Sequence, residues 1–305
     1  MTVLVFIDPS VPAGRVADAS APQLSVLDQG ATRGDGIFES ALYKGGSVRK
    51  LDMHLARLQS SAQLSDLDIP GEDVWRAAVA TAIAEYDGEA RRVDAGTGTG
   101  GQPDTDVEAV VKLIATRGPE GAGHGTSWVT VSPAPALGRE QRETGVRVLL
   151  LDRGYDSTVA ERAPWLLMGA KTLSYAVNMA ALRHARKNDA DDVIFTSSDG
   201  RVLEGPTSTV LLATREGNEK RLITPTLRTG ILPGTTQGAL FGLAEEAGWK
   251  LGYGPVVPQD LLDADAVWLV SSVRLLAPVT AIDGQPIATD AELTAELSRL
   301  IDAIE

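Results

Sequence analysis

Near the middle of the chain the run Ser132-Pro133-Ala134-Pro135-Ala136 makes a break that no continuous helix or central strand crosses, because each proline fixes its own backbone and removes a donor. An apolar, strand-like pattern restarts beyond it at Gly145-Val-Arg-Val-Leu-Leu-Leu151. A chain of 305 residues is long for one core and comfortable for two. The expected organisation is therefore a smaller N-terminal domain over 1–132, a linker over 133–144 and a larger C-terminal domain over 145–305. Strand and helix patterns occur on both sides of the break, so the fold class expected for each domain is α/β in the broad, α+β sense.

On the N-terminal side, residues 36–43 and 46–51 alternate around Lys44-Gly45-Gly46, the pattern of a hairpin with a glycine turn. A helix follows in which Leu55, Leu58, Ala62 and Ser65 share one face, while His54, Arg57 and Ser61 form a second stripe rotated off it. A further helix is expected over Glu72 to Tyr86, then paired strands over Val107 to Thr116 and Thr126 to Val131. On the C-terminal side Leu173, Ala176, Val177, Ala180, Ala181 and Ala185 recur at helical spacing, which predicts a helix starting just after Lys171. Asp199-Gly200 between Val193–Thr196 and Arg201–Glu204 is a hairpin signal that puts Glu204 at a strand end. Val210 to Thr214 continues that sheet, Gly234-Thr235-Thr236 opens a helix ending at Gly248, and Val267 to Val270 is an apolar strand leading into Ser271-Ser272.

Composition removes several function classes. The formal charge of -13 argues against nucleic acid as a partner, and local positive charge is then required wherever an anion binds. With no cysteine there are no disulfides, thiolate nucleophiles or cysteine-based metal sites, which is compatible with a reducing cytosol. The first residues lack a basic n-region and no apolar run approaches a membrane span, so a cytoplasmic protein without a membrane partner is expected. His54, His124 and His184 have no ligand spacing, and no metal is expected. Gly96-Thr-Gly98-Thr-Gly100-Gly101 matches GxGxxG formally, but neither the preceding strand nor the following helix of a dinucleotide site is present, so it reads as a loop.

The residues suited to chemistry are few. Lys171 stands at the mouth of an apolar helix, where burial pushes an amine toward its neutral, nucleophilic form and makes it a candidate Schiff-base former. Glu204 is a carboxylate able to keep a pyridine nitrogen protonated, the condition under which a pyridoxal ring becomes an electron sink. Gly234-Thr235-Thr236 offers backbone donors at a helix N-terminus, and Arg57 a bidentate guanidinium, to a shared phosphate. The plain alternatives are a lysine reaching solvent, a glutamate on a turn, an ordinary threonine cap and a solvated arginine.

Taken in order from about Leu24 to Asp283, these pieces resemble the class IV aminotransferase family, the pyridoxal-phosphate enzymes of fold type IV. The resemblance rests on Asp28-Gln-Gly-Ala-Thr-Arg-Gly34-Asp35-Gly36-Ile-Phe38-Glu39, on His54-Leu-x-Arg57-Leu, on Lys171, Glu204-Gly205 and Gly234-Thr-Thr236, and on Ser271-Ser272 ahead of Pro278-Val279. It implies two α/β domains with the cofactor in the cleft between them, the larger domain being the cofactor-binding one, and a homodimer. It further implies Lys171 as the Schiff-base lysine, Glu204 as the ring-nitrogen partner, Arg57, Thr235, Thr236 and Ser272 at phosphate-binding positions, and Tyr175 beside the cofactor.

The family holds branched-chain and D-amino acid aminotransferases and 4-amino-4-deoxychorismate lyases, so the fold does not choose the reaction. Lys171-Thr-Leu-Ser-Tyr175 with Asn178 is similar to the lyase and D-amino acid branches, and Ala122-Gly123-His124 lacks the arginine that D-amino acid aminotransferases use to trap a carboxylate. Arg33, where relatives carry an aromatic residue, and Arg274, at an often small position, would suit a dicarboxylate; Phe38 joins them as a substrate-binding residue. The alternative is that both arginines pair with acidic neighbours such as Asp35 or Asp265. Thr209 stands where many relatives have asparagine. On this pattern the expected activity is a 4-amino-4-deoxychorismate lyase giving p-aminobenzoate and pyruvate in folate biosynthesis, with an amino acid aminotransferase as the alternative.

Overall fold

The structure is a computed structural model that describes residues 1–97 and 107–304, and the chain separates into two compact units. The first comprises residues 1–134 with 170–174, the second residues 135–169 with 175–304.

The first unit contains β1 (Val3–Asp8), β2 (Val11–Ala17), α1 (Gln29–Arg33), β3 (Gly36–Lys44), β4 (Ser47–Val48), α2 (Leu51–Leu64), α3 (Glu72–Thr97), β5 (Ala109–Thr116) and β6 (Thr126–Pro133). Its six strands form an antiparallel sheet in the order β2-β1-β6-β5-β3-β4. One face, carrying Val5, Ile37, Val111, Leu113 and Val129, is covered by Leu58 of α2 and Trp75 and Val79 of α3, all buried. The expected second hairpin strand ends early. Lys50 takes a left-handed conformation at φ 51°, which stops β4 and starts α2 at Leu51. The second helix runs past the expected end at Tyr86 to Thr97; no proline interrupts it, and Gly88 within it weakens a helix without breaking it. Most of the glycine-rich loop expected over Gly96 to Asp106 lies outside the described residues.

The second unit contains α4 (Ala136–Thr144), β7 (Val146–Asp152), α5 (Val159–Arg162), α6 (Ala176–Lys187), β8 (Asp192–Thr196), β9 (Thr209–Glu216), β10 (Glu219–Pro225), α7 (Thr235–Glu246), β11 (Lys250–Gly254), α8 (Pro258–Asp263), β12 (Ala266–Ser271), β13 (Leu275–Ile282), β14 (Gln285–Pro286) and α9 (Ala291–Asp302). Its mixed sheet has the order β11-β10-β9-β12-β13-β7-β8, with β14 on β13. The pairs β10/β11, β13/β7 and β7/β8 are parallel.

Three expectations are corrected here. The stretch expected as a linker over 133–144 holds the last residue of β6 and the whole of α4, which is fastened down by Arg142: its guanidinium donates to the carbonyls of Arg274 at 2.7 Å and Val273 at 2.8 Å. The helix expected just after Lys171 begins at Ala176, because 171–173 stay extended against β3; Ala181 and Ala185 are buried, but Val177 is exposed. Arg201–Glu204 pairs with β8 through the Phe195–Glu204 and Leu203–Phe195 bonds, yet forms no strand, since Val202 turns its N–H to Val256.

Candidate active site

The Gly34-Asp35-Gly36 turn has a specific reason for both glycines. Gly34 ends α1 at φ 70°, and a Cβ there would stand 3.0 Å from Ser174 Oγ. A Cβ on Gly36 would meet the Ala115 carbonyl at 2.6 Å and Leu173 Cδ1 at 2.8 Å. The two missing side chains admit residues 171–174 beside the start of β3. There the Phe38 N–H donates to the Lys171 carbonyl at 3.0 Å, the Leu173 N–H donates to the Gly36 carbonyl at 2.8 Å, and Thr172 bridges Ile37. Asp28 anchors the same turn from beneath, fully buried and accepting from Gly30 N and the hydroxyls of Thr116 and Thr126. Lys171 is thus gripped by its backbone, with its Nζ 4.4 Å from the centroid of the Phe38 ring. An ammonium at that distance is attracted by the negative ring face.

Residues Ile37, Glu39 and Ala41 of β3 point to the core side, and all are fully buried. A glutamate in this apolar register needs partners, and the second stripe of α2 supplies them. Arg57 donates from Nε to Glu39 Oε1 at 2.7 Å and from Nη2 to Oε2 at 2.8 Å, while His54 Nδ1 lies 2.7 Å from Oε2. Burial by itself would raise the Glu39 pKa; the Arg57 charge and hydrogen bonds and the His54 contact outweigh it and hold the group at about 2. The stripe expected off the core face is therefore itself largely inside: His54 and Ser61 are buried, and the Arg57 side chain is only 11 % exposed. Sequence reasoning assigned no role to Glu39 or Ser61, although the position of Glu39 among apolar alternates was a readable signal.

In the second unit three hydroxyls converge at the start of α7. Thr235 Oγ1 lies 3.1 Å from Ser272 Oγ, and Thr236 Oγ1 donates to the same atom at 3.2 Å. Gly234, the N-cap, supplies no side-chain cap, and a Cβ on it would come 2.5 Å from Thr209 Oγ1. Hydroxyl donors, a helix N-terminus and a residue without a side chain are what an entering phosphate requires, and these residues fit one. Glu204 is held at both ends, its carbonyl accepting from Phe195 N at 2.9 Å and its Oε2 from Leu232 N at 3.1 Å. Tyr175 is the N-cap residue of α6, and Asn178 one turn later donates to the Pro206 carbonyl at 2.7 Å.

The two arginines expected to meet a dicarboxylate are both engaged by protein carboxylates, and not by the acids expected. Arg33 meets Glu120 at 3.0 Å on the surface, with its side chain 58 % exposed. Arg274 donates to Asp192 Oδ2 at 2.6 Å from a side chain only 11 % exposed. Asp35 is taken by Arg117 at 2.7 Å, and Asp265 accepts from the backbone of Arg215. His124 is exposed and touches only its neighbour's carbonyl at 3.3 Å among the described residues.

The model of the amino-transferase class IV family matches residues 36–282. A bifunctional aminodeoxychorismate lyase / D-amino acid transaminase from Mycobacterium tuberculosis is 43% identical over 93% of this chain and 95% of its own length. Among solved structures, a fold IV transaminase from Curtobacterium pusillum is 44% identical, covers both chains completely and superposes with a TM-score of 0.88. A hypothetical aminotransferase from Mycobacterium tuberculosis, in a form with alpha-ketoglutarate and PMP bound, is 40% identical over 99% of this chain and 98% of that one, at a TM-score of 0.88.

Proposed function

This chain belongs to the class IV aminotransferase family, and we propose that it is a pyridoxal-phosphate-dependent amino acid aminotransferase with a 2-oxo acid as acceptor. The observation that supports transamination is the likeness over nearly the whole chain to a solved fold IV transaminase and to an aminotransferase with alpha-ketoglutarate and PMP bound; the pairing of Arg33 with Glu120 and of Arg274 with Asp192 is in keeping with it. Those two guanidinium groups were the ground for expecting a dicarboxylate ring substrate. A second reading, lyase activity on 4-amino-4-deoxychorismate, keeps support from the relative whose printed name joins both activities.

When bound, pyridoxal phosphate supplies a carbonyl for amine exchange and a ring that accepts electrons from the substrate carbon. The residues proposed to hold it are Arg57, Lys171, Tyr175, Glu204, Thr235, Thr236 and Ser272. Thr235, Thr236 and Ser272 would donate hydroxyl hydrogens to the phosphate at the start of α7, with Arg57 adding charge. Glu204 would keep a proton on the ring nitrogen through a carboxylate whose Oε2 is already oriented by Leu232 N–H. The Nζ of Lys171, poised at the Phe38 ring, would form the covalent link and, once released, take the proton from the substrate α-carbon and return it to the other side of the transfer. Phe38 would then bound the substrate side of the amine.

The test is a screen of the cofactor-loaded protein against L- and D-amino acids and 4-amino-4-deoxychorismate. The proposal expects the visible band to bleach with an amino acid and to recover on adding a 2-oxo acid. Release of p-aminobenzoate and pyruvate with no bleaching by any amino acid would instead establish the lyase reading. A homodimer is part of the proposal, and sedimentation at the mass of one chain would contradict it.

A further inference from the structure

The stripe His54, Arg57, Ser61 on α2 serves two partners, and only one of them is Glu39. Ser61 lies one helical turn beyond Arg57, is 1% exposed, and its Oγ accepts the backbone N–H of Lys171 at 3.1 Å. It reaches a residue 110 positions away in sequence, so the contact belongs to the tertiary fold and not to the local helix.

We propose that Ser61 is a positioning residue for Lys171, fixing the lysine backbone from α2 while β3 fixes it from the other side. The inference rests on the reading of Lys171 as the cofactor-linking amine. The Phe38 N–H to the Lys171 carbonyl and the Leu173 N–H to Gly36 tie the segment to β3 along one edge, and Ser174 Oγ donates to the Gly34 carbonyl at 3.3 Å. The bond from Lys171 N–H to Ser61 comes from a different element, the helix packed on the sheet, and adds a tether from that side. With both in place, the side chain of Lys171 leaves a backbone fixed on two sides, and its Nζ is delivered to the Phe38 ring. The hydroxyl never touches the reacting atoms, so its influence reaches the chemistry only through where the amine stands. A misplacement of about 1 Å at a reacting group is enough to cost two orders of magnitude in rate.

The experiment compares Ser61→Ala and Ser61→Cys with Ser60→Ala, a control whose exposed hydroxyl donates to the Ala56 carbonyl of its own helix at 3.0 Å. The cysteine variant nearly keeps the volume at a buried position while offering a weak acceptor, and covers the case in which the alanine variant does not fold. Two readouts are taken: amide hydrogen exchange of residues 170–174 in protein without cofactor, and the pH titration of the visible band in protein loaded with pyridoxal phosphate. Expected for both Ser61 variants is exchange at Lys171 faster by roughly threefold to tenfold, the equivalent of one net hydrogen bond, together with a shifted titration of the visible band. The Ser60 control should show neither. Unchanged exchange and an unchanged titration in the Ser61 variants would overturn the proposal, even if their melting temperature fell. If no cofactor can be fixed to Lys171 of the unaltered protein, the functional reading fails, and unchanged exchange would still sink the role of Ser61 separately.

Discussion

Glu39 is the residue around which the buried polar network of the first unit is built. It is fully buried and shared between Arg57 and His54, so removing its charge takes the ionic partner from a guanidinium that is only 11 % exposed. Glu39→Gln should cost about 3–5 kcal/mol at neutral pH, the range for breaking a buried pair from one side. The pH dependence follows from the direction of the shift. A carboxyl lowered from 4.5 to about 2 on folding contributes stability above pH 4.5 that is lost as the pH falls toward 2. The difference in urea-unfolding free energy between the unaltered protein and Glu39→Gln should therefore be largest at pH 7 and shrink at pH 3. An equal difference at both pH values would show that the ionised pair is not the source. Arg57, singled out from sequence for a phosphate, keeps that role as a proposal, with the added feature that Glu39 already sets the plane of its guanidinium.

At the scale of elements, helix ends and turns carry the site, and glycines decide whether they can. Gly234→Ala keeps a permitted φ of -70° but pushes a methyl to within 2.5 Å of Thr209 Oγ1, a buried β-branched side chain with little room to move. The variant should lose about 1–3 kcal/mol of stability and bind pyridoxal phosphate more weakly, because the start of α7 must shift away from β9. Adding Thr209→Ala should restore part of both losses, as measured by denaturant midpoint and cofactor titration; no recovery would place the clash elsewhere. These elements were legible to different degrees. The glycine turn after β3, the apolar face of α2 and the strand-to-serine passage at Ser271-Ser272 all followed from local periodicity. The late start of α6 did not, since Leu173 and Ala176 have helical spacing while Leu173 is bonded across to Gly36, a contact no local pattern records. Likewise α4 was hidden by the two prolines that precede it, and its anchorage by Arg142 on residues 273 and 274 is a long-range fact.

For the whole molecule, each of the two units carries some of the candidate residues. The first unit supplies the gripped lysine and the Glu39–Arg57–His54 network, and the second supplies the hydroxyls at α7 and the oriented Glu204. That the chain returns residues 170–174 to the first unit explains why a domain boundary read from prolines alone puts Lys171 with the C-terminal half. Among the described residues no helix is long and apolar enough to cross a membrane. The order of motifs was legible because each depends on a few neighbouring residues; the partners of Arg33 and Arg274 were not, because Glu120 and Asp192 lie 87 and 82 positions away along the chain. The measurement that bears most directly on the account is borohydride reduction of the protein loaded with pyridoxal phosphate, followed by peptide mapping. The account predicts one fixed cofactor per chain on Lys171, and none in Lys171→Ala; attachment at Lys112, Lys187 or another lysine, or no attachment at all, would contradict it.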